Sequence, residues 1–320
     1  MQKPQYFNGL VTINSNKEWK LEMTLQECWE LQQNLELLIN RDDIGINLKP
    51  IRIINKNNLS FKIRVTKNTN FWTSLQANTW ELNTFKVFDA HLSSNHVFID
   101  LGAWIGSTSL YGAQLAKRTY AFEPDPVAFK ELEENVRINL SDGWAQRCNI
   151  FNEAISLKTG IIKLGSLTNG GDSASSSFFT DTKTQWEVNA VTFKEFILRE
   201  NISKEELFIK IDIEGSEYDL LPTLKPIFIT CKTVLLLSIH PQLLAKHLMQ
   251  TKKGIFRNKL FRRLSFVNYQ VRLLHSLRFK YLYHSDGTRF NYFREIFHAI
   301  LLGTFSEEIL ATNKQWENQN

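Results

Sequence analysis

Three side chains with acid–base chemistry follow two short apolar segments in the second half of the chain. Asp212 and Glu214 come directly after Leu207–Ile211, just before a glycine, and His240 ends the apolar segment that begins at Val234. Carboxylates beside an imidazole can orient a substrate hydroxyl, take its proton or hold a metal ion. For His240 the sequence leaves two roles open, a general base and a structural hydrogen-bonding group.

A second group of residues, Asp100, Gly102 and Gly106, lies at the end of an earlier apolar segment. Glycines at these positions let the backbone approach a ligand closely, and a helix that begins after Gly106 offers free N–H groups. The spacing D-x-G-x-x-x-G is common in enzymes that bind S-adenosylmethionine. It differs from the G-x-G-x-x-G of dinucleotide-binding turns, although an NAD(P)-dependent enzyme remains the main alternative.

An acid also closes the next apolar segment, where Glu123 is followed by Asp125 and Pro126. A carboxylate at this place can accept hydrogen bonds from both hydroxyls of a ribose, and Asp125 can cap the following helix. Asn152–Ala154 follow the third apolar segment, where they can reach an adenine edge. The ends of such strands share one crevice in a doubly wound sheet, so these residues are expected to lie together.

The elements that position these residues alternate between strands and helices from His96 to His240. This alternation predicts an α/β fold with a doubly wound, mostly parallel sheet. We predict three regions: a mixed α/β N-terminal cap (1–90), a catalytic core (91–241) and a basic, mostly helical C-terminal extension (242–320) with a terminal hairpin that completes the sheet.

Three further local structures are predicted outside the core. Thr24 and Glu27 fit a capping box at the start of a helix over 25–39. Alternating apolar residues predict a hairpin around Asn55–Leu59, and a second hairpin over 279–293 is expected to turn at Asp286–Gly287.

The composition is that of an ordinary globular protein, with 43% hydrophobic and 22% charged residues. The sequence has no run of about 18 apolar residues, which a membrane span requires. It also shows no secretory signal, so we expect a cytoplasmic protein. The three cysteines lack C-x-x-C spacing, which indicates reduced thiols.

The net charge of +5 is unevenly distributed along the chain. Gln250–Arg294 contains eleven Lys or Arg and one acid, Asp286, for a net charge of +10. Such a segment indicates either an anionic partner or substrate, or a solvated basic helix face. Its aromatic residues recur every three to five positions, as on the core face of a helix, so nucleic acid is not the expected partner.

These motifs together resemble the FkbM family of S-adenosylmethionine-dependent methyltransferases. The matching segments run in order from Phe71 to Pro241: FWTSLQANTWELNTF, VFIDLGAWIGSTSLYGA, YAFEPDPVAFKELEENVRIN, NEAISLKTGIIKL, GDSASSS, LFIKIDIEGSEYDLLP and LLLSIHP. The resemblance implies a class I methyltransferase (Rossmann-like) sheet of seven strands and S-adenosyl-L-methionine as cofactor. It also implies methyl transfer to a hydroxyl of a sugar, glycoconjugate or natural product.

The resemblance also assigns roles to residues. Asp100, Gly102 and Gly106 would lie along the methionine part of the cofactor, Glu123 on its ribose and Asn152–Ala154 near its adenine, while Trp80-Glu81 would close over it. The full expected cofactor-binding set is Glu81, Asp100, Gly102, Ala103, Gly106, Glu123, Asp125, Asn152, Glu153 and Ala154. The expected catalytic residues are Asp212, Glu214 and His240.

The residues themselves favour oxygen over nitrogen as the methyl acceptor. The fourth-strand loop reads IDIEG and not the N-P-P-Y type associated with amine or amide methylation. A hydroxyl needs its proton removed as it attacks, which suits nearby acids and a His. The acceptor is thus expected to be a small molecule or glycan, and the basic segment leaves an anionic acceptor open. A divalent metal and the oligomeric state are left open. A nucleic-acid methyltransferase is kept as an alternative. A binding protein without catalysis is disfavoured, because Asp100, Glu123, Asp212 and His240 are all present.

Overall fold

A computed structural model describes residues 6–11, 19–24, 50–166, 169–171, 184–250 and 259–316. Residues 1–50 and 51–320 form two separate units. In the first unit, β1 (Tyr6–Val11) pairs antiparallel with β2 (Trp19–Thr24). The helix predicted over 25–39 lies outside the described residues.

The second unit is organised around a sheet of seven strands, which confirms the predicted doubly wound, mostly parallel α/β architecture. Its spatial order is β13-β14-β12-β11-β5-β6-β7, and only the pairs made by β14 are antiparallel. The strands are β5 (His96–Leu101), β6 (Arg118–Phe122), β7 (Cys148–Phe151), β11 (Glu206–Ile211), β12 (Thr233–Ser238), β13 (Tyr281–His284) and β14 (Glu308–Thr312).

Helices cover both faces of this sheet, so its central strands are buried on both sides, as parallel sheets require. In β5, Val97 and Ile99 pack into one hydrophobic core and Phe98 into the other. The helices are α1 (Thr69–Gln76), α2 (Leu82–His91), α3 (Ser107–Leu115), α4 (Pro126–Arg137), α5 (Phe193–Arg199), α6 (Glu217–Thr230), α7 (Pro241–Gln250), α8 (Lys259–Ser276) and α9 (Tyr292–Leu301). No helix in the described parts of the chain is both long and apolar enough to cross a bilayer.

Two smaller sheets accompany the main one. The alternating segment before the core forms the expected hairpin of β3 (Ile51–Lys56) and β4 (Leu59–Arg64). A three-stranded sheet contains β8 (Glu153–Ser156), β9 (Gly160–Ser166) and β10 (Thr184–Thr192), in which β10 is central.

The hairpin expected over 279–293 forms only around its turn. Gly287 N, His284 N and Phe290 N donate hydrogen bonds to His284 O, Thr288 O and Leu282 O, and Tyr283 bridges Arg289. The second arm does not continue as a strand, and β13 makes its sheet pairing with β14, beyond α9. The physical reason is the Asn291 side chain, which accepts a hydrogen bond from Arg294 N at 3.0 Å and caps a helix in place of a strand. The domain boundaries at residues 90 and 241 remain predictions.

Candidate active site

A cavity of about 540 Å³ opens at the carboxyl ends of β5, β6, β11 and β12, and parts of β8 and β9 also line it. This is the position at which open α/β sheets bind ligands, and the volume is that of a small-molecule site. Nine of the residues predicted from the sequence line this cavity: Glu81, Gly102, Ala103, Glu123, Glu153, Ala154, Asp212, Glu214 and His240.

The three predicted catalytic residues meet at one point of the cavity. His240 Nε2 lies 3.5 Å from both Asp212 Oδ1 and Glu214 Oε2. These distances exceed those of strong hydrogen bonds but keep all three groups within reach of one substrate hydroxyl. The ends of β11 and β12 therefore bring His240 next to Asp212 and Glu214, which precede it by more than 25 positions in sequence.

Glu217 holds the other side of the His240 ring and was not among the predicted site residues. Its Oε1 lies 3.2 Å from His240 Nδ1 and accepts a hydrogen bond from His240 N at 2.8 Å. Its Oε2 accepts a hydrogen bond from Gly215 N at 2.7 Å, and the side chain is fully buried. Glu217 thus links the loop after β11 to the end of β12 and fixes the orientation of the imidazole.

This arrangement separates the acidities of the neighbouring groups. Burial alone would lower the pKa of His240, but the hydrogen bond and charge of Glu217, with the charges of Asp212 and Glu214, raise it to about 9. Burial raises the pKa of Glu214 to about 7, against the opposing effect of His240. At neutral pH the imidazole is therefore protonated, while Glu214 is poised between its two forms.

Lys210, also absent from the sequence-based set, neutralises the acids beneath this cluster. It is 2% exposed, and its Nζ lies 3.1 Å from Asp212 Oδ2 and 3.9 Å from Asp100 Oδ1. Burial would raise the pKa of Asp212, but the charge of Lys210, followed by that of His240, lowers it. A lysine inside the apolar strand β11 was the available signal, because lysine is almost never fully buried without a partner.

Gly102 is required by the contact between two loops. It has φ of +84°, and a Cβ there would lie 1.8 Å from the carbonyl oxygen of Asp212. The same two segments are tied by a hydrogen bond from Asp212 N to Leu101 O at 2.9 Å. The absence of a side chain at Gly102 thus lets the loop after β5 lie directly against the loop after β11 that carries Asp212 and Glu214.

The residues around Glu123 suit the adenosyl part of S-adenosylmethionine. Glu123 Oε2 accepts a hydrogen bond from Trp104 N, and its Oε1 accepts one from Asp125 N, both at 2.8 Å. Burial raises the pKa of Glu123 to about 8, despite these two backbone hydrogen bonds. A carboxyl group held rigidly on the cavity wall, near the apolar residues Ile155 and Leu164, fits a ribose next to a flat aromatic ring.

Four residues predicted to contact the cofactor do not line the cavity: Asp100, Gly106, Asp125 and Asn152. Asp100 Oδ2 accepts hydrogen bonds from Thr108 Oγ1 and Ser109 Oγ, which anchors the start of α3. The Asp125 carboxylate accepts hydrogen bonds from Val127 N and Gly171 N.

The other two of these residues are likewise used inside the wall of the cavity. Asn152 Nδ2 donates hydrogen bonds to Glu123 O at 2.9 Å and Pro124 O at 3.2 Å. Gly106 caps α3 with φ of +99°, and a Cβ there would press on Leu132. These four residues therefore make their contacts inside the cavity wall, and their predicted contact with a cofactor stays a prediction. Of the GDSASSS segment at 171–177, only Gly171 lies within the described residues.

Aromatic rings connect the Trp80-Glu81 element to the glycine loop. The Phe71 ring lies edge-on to Trp80 at 5.4 Å and to Trp104 at 4.5 Å, between ring centroids. Trp80, Glu81 and Trp104 all line the cavity. Closure of Trp80-Glu81 over a cofactor stays a prediction.

Unusual backbone conformations are concentrated around the cavity. Among the described non-glycine residues, six have positive φ, and three of these are asparagines, which tolerate the left-handed region. The other three are Glu81 (φ 45°), Trp104 (49°) and Glu214 (52°), and all three line the cavity. Strain of this kind is retained where the surrounding structure holds a residue in place, and it commonly marks functional sites.

Comparisons with known proteins identify a family for this chain. The model of the methyltransferase FkbM domain matches residues 100–259. Among crystal structures, a methyltransferase FkbM from Methylobacillus flagellatus KT is 20% identical, with 53% of this chain and 41% of that chain covered and a TM-score of 0.36. A TehB-like SAM-dependent methyltransferase from Corynebacterium glutamicum is 11% identical over 77% of this chain and 96% of that chain, with a TM-score of 0.36.

A SAM-dependent methyltransferase from Agrobacterium tumefaciens is 14% identical over 60% of this chain and 54% of that chain, with a TM-score of 0.32. The chain thus spans less than half the length of the FkbM structure it matches. No curated protein sequence matches it. Because the matching domain model covers half of the 320 residues, the chain belongs to the FkbM methyltransferase family.

Proposed function

We propose that this protein transfers a methyl group from S-adenosylmethionine to a hydroxyl of a sugar, glycoconjugate or natural product. The observation that carries the proposal is the meeting of Asp212, Glu214 and His240 in the cavity that Gly102 and Glu123 also line. Membership of a methyltransferase family makes the NAD(P)-dependent alternative unnecessary.

The chemistry of the acceptor sets the task of the protein side chains. Bound S-adenosylmethionine supplies a methyl group from its sulfonium sulfur, which keeps the electron pair of the broken bond. The acceptor hydroxyl must lose its proton as its oxygen bonds to that methyl group. Glu214 is our candidate to take this proton, because its pKa of about 7 makes a carboxylate available at neutral pH and a carboxylic acid stable after transfer.

His240 and Asp212 have supporting roles in this proposal. An imidazole with a pKa of about 9 already carries its proton at neutral pH, so it is a hydrogen-bond donor and not the general base. Its Nε2–H faces Asp212 and Glu214, where it can orient both carboxylates and the acceptor oxygen. Lys210 keeps Asp212 ionised as an acceptor for the substrate hydroxyl.

The charge of the cavity wall favours an uncharged acceptor. The acidic residues that line it are Glu81, Glu123, Glu153, Asp212, Glu214, Asp219, Glu307 and Glu308, whereas the cationic groups are Lys210 and His240. None of the Lys or Arg residues that the structure describes between 259 and 294 lines the cavity. The expectation of an anionic acceptor held by the basic segment therefore has no support from the cavity, and an acidic wall also disfavours a nucleic acid.

Asp212, Glu214 and His240 could also bind a metal ion. One ligand atom each from Asp212, Glu214 and His240 lie within 4.8 Å of one another, so the set can hold a divalent cation. However, the Lys210 ammonium lies 3.1 Å from Asp212 Oδ2 and already offsets part of this negative charge. We therefore propose metal-independent transfer, in which a chelator leaves the rate unchanged.

The test uses labelled S-adenosylmethionine, the full chain and paired acceptors that differ only in charge, such as an alkyl glucoside and the matching glucuronide. We expect an O-methyl product with the neutral acceptor and a much poorer reaction with the anionic one. Glu214→Gln should abolish most of this activity, whereas Glu307→Gln, a matched change at another cavity residue, should retain it. Methylation of an amine acceptor only, or equal rates in the two variants, would contradict the proposal.

A further inference from the structure

Helix α9 presents an apolar face to solvent. Phe293 is 86% exposed and Phe297 58%, and Ile300 and Leu301 continue the same face at helical spacing. The opposite side of the helix is buried through Ala299 and Glu295. A solvent-facing helix normally carries polar residues on its outer side, so this arrangement needs a partner.

The exposed apolar surface continues onto the first turns of α8. Leu260, Phe261 and Leu264 are exposed there. The Arg263 guanidinium donates a hydrogen bond to Leu301 O, which places the start of α8 beside the end of α9. We call this combined surface the apolar patch; it consists of Leu260, Phe261, Leu264, Phe293, Phe297, Ile300 and Leu301.

The apolar patch lies within the most basic part of the described chain. Lys259–Arg294 contains eight Lys or Arg and one acid, Asp286, for a net charge of +7. Arg262 follows Phe261 directly, and Arg294 follows Phe293. Because none of the seven cations whose side chains the structure describes in this segment lines the cavity, the cavity does not account for their charge.

We propose that the apolar patch docks onto the surface of an anionic lipid membrane. Exposed Phe and Leu side chains next to Arg and Lys are the features of helices that lie in a bilayer interface. The apolar side chains would enter the boundary between headgroups and acyl chains, while the arginines would bind the phosphate and carboxylate groups of the lipids. The proposal concerns a surface outside the cavity and does not depend on the reaction catalysed there.

A second copy of the chain is a poorer occupant of the same face. In a two-fold dimer the patch would face itself, so that Arg262 and its basic neighbours would lie opposite their own copies. The acid nearest in sequence, Glu295, is buried and is paired with Arg294 at 3.3 Å, so it does not neutralise a partner. Like charges across an interface oppose association, whereas an anionic bilayer complements them.

The experiment is flotation of the full chain with vesicles of phosphatidylcholine alone or with 30 mol% phosphatidylserine, at low and high salt. We expect binding only with phosphatidylserine, and loss of binding at high salt. Phe293→Ser with Phe297→Ser should weaken binding by about tenfold or more, the value for exposing one large apolar side chain. Arg262→Ser should weaken it by about fivefold, which corresponds to about 1 kcal/mol per basic residue.

Matched variants control for nonspecific effects. Leu198→Ser with Ile229→Ser removes two exposed apolar side chains from other helices, and Arg147→Ser removes an exposed charge near β7, at the opposite edge of the sheet. These variants should bind vesicles like the parent chain. Absence of phosphatidylserine-dependent binding would overturn the proposal. Equal binding by all variants would also overturn it. So would a dimer that is detected by sedimentation and dissociated by Phe297→Ser, if the chain does not bind vesicles.

Discussion

Replacement of Glu214 by Gln tests the proposed proton transfer directly. The amide has nearly the shape of the carboxyl group but cannot take a proton, so the hydroxyl loses its acceptor while the cavity is preserved. General-base catalysis contributes about 10²–10⁴-fold to enzyme rates, and we expect the rate of methyl transfer to fall by that factor. The cofactor affinity should stay nearly unchanged, because Glu123 follows β6, which β5 separates from the β11 strand that leads to Glu214.

The proposed roles of Glu214 and His240 also predict how the rate of methyl transfer changes with pH. The reaction requires ionised Glu214, so the rate should rise with pH through about 7. It also requires protonated His240, so the rate should fall again above about 9. The parent enzyme should show a bell-shaped profile with these two limbs, and Glu214→Gln should lack the acid limb while keeping the alkaline one.

Single-turnover rates with saturating donor and acceptor isolate the chemical step from binding and product release. Glu307→Gln is the control, since Glu307 lines the cavity without contacting the His240 cluster in the described structure. A rate that keeps rising through pH 9 would indicate neutral His240 as the base. That result, or a Glu214→Gln variant within a few-fold of the parent rate, would refute the reasoning.

Three further substitutions test the surrounding network. Glu217→Gln removes the charge that helps raise the pKa of His240, so the alkaline limb should move from about 9 towards 6.5, and an unmoved limb would argue against this role. Glu123→Gln should weaken S-adenosylmethionine binding in calorimetry by about 1.5–3 kcal/mol, and equal affinity would contradict the ribose assignment. Folded Glu123 keeps its proton up to about pH 8, whereas an unfolded glutamate releases it near 4.5, so parent stability should fall as the pH rises between these values, and the Gln variant should lack this pH dependence. Lys210→Met leaves Asp100 and Asp212 without their buried cation and should lower the free energy of unfolding by about 3–5 kcal/mol in urea titration, whereas a change below about 1 kcal/mol would show that the ion pairs are weak.

Much of the central fold was predictable because its signals are local. The buried strands β5, β11 and β12 are apolar runs, and Asp125 with Pro126 marks the start of α4. The C-terminal strands were harder to predict, because the partner of β13 lies beyond α9 and a turn at Asp286–Gly287 favoured a nearby partner. Sequence proximity was thus a poor guide where a helix is inserted between paired strands.

The candidate site was predictable where a residue's position at a strand end determined its role. Asp212 and His240 come after neighbouring parallel strands, and the topology alone brings such residues together. Glu217 and Lys210 were missed because their importance lies in buried contacts with partners on other strands, 23 and 110 positions away. Asp100 was assigned to the cofactor since strand-end acids often face the crevice, but its carboxylate turns inward to Thr108 and Ser109.

The strained residues show most clearly what a sequence does not encode locally. Glutamate and tryptophan have no preference for positive φ, so nothing at positions 81, 104 or 214 predicts it. At Trp104 the conformation is held from outside: its N–H donates to Glu123 and its indole donates to Gly171 O at 3.2 Å. The contacts that hold Trp104 also fix the carboxyl group proposed to bind the ribose. The strained backbone at Trp104 is therefore held by contacts with segments that follow other strands, and the same contacts make this wall of the cavity rigid.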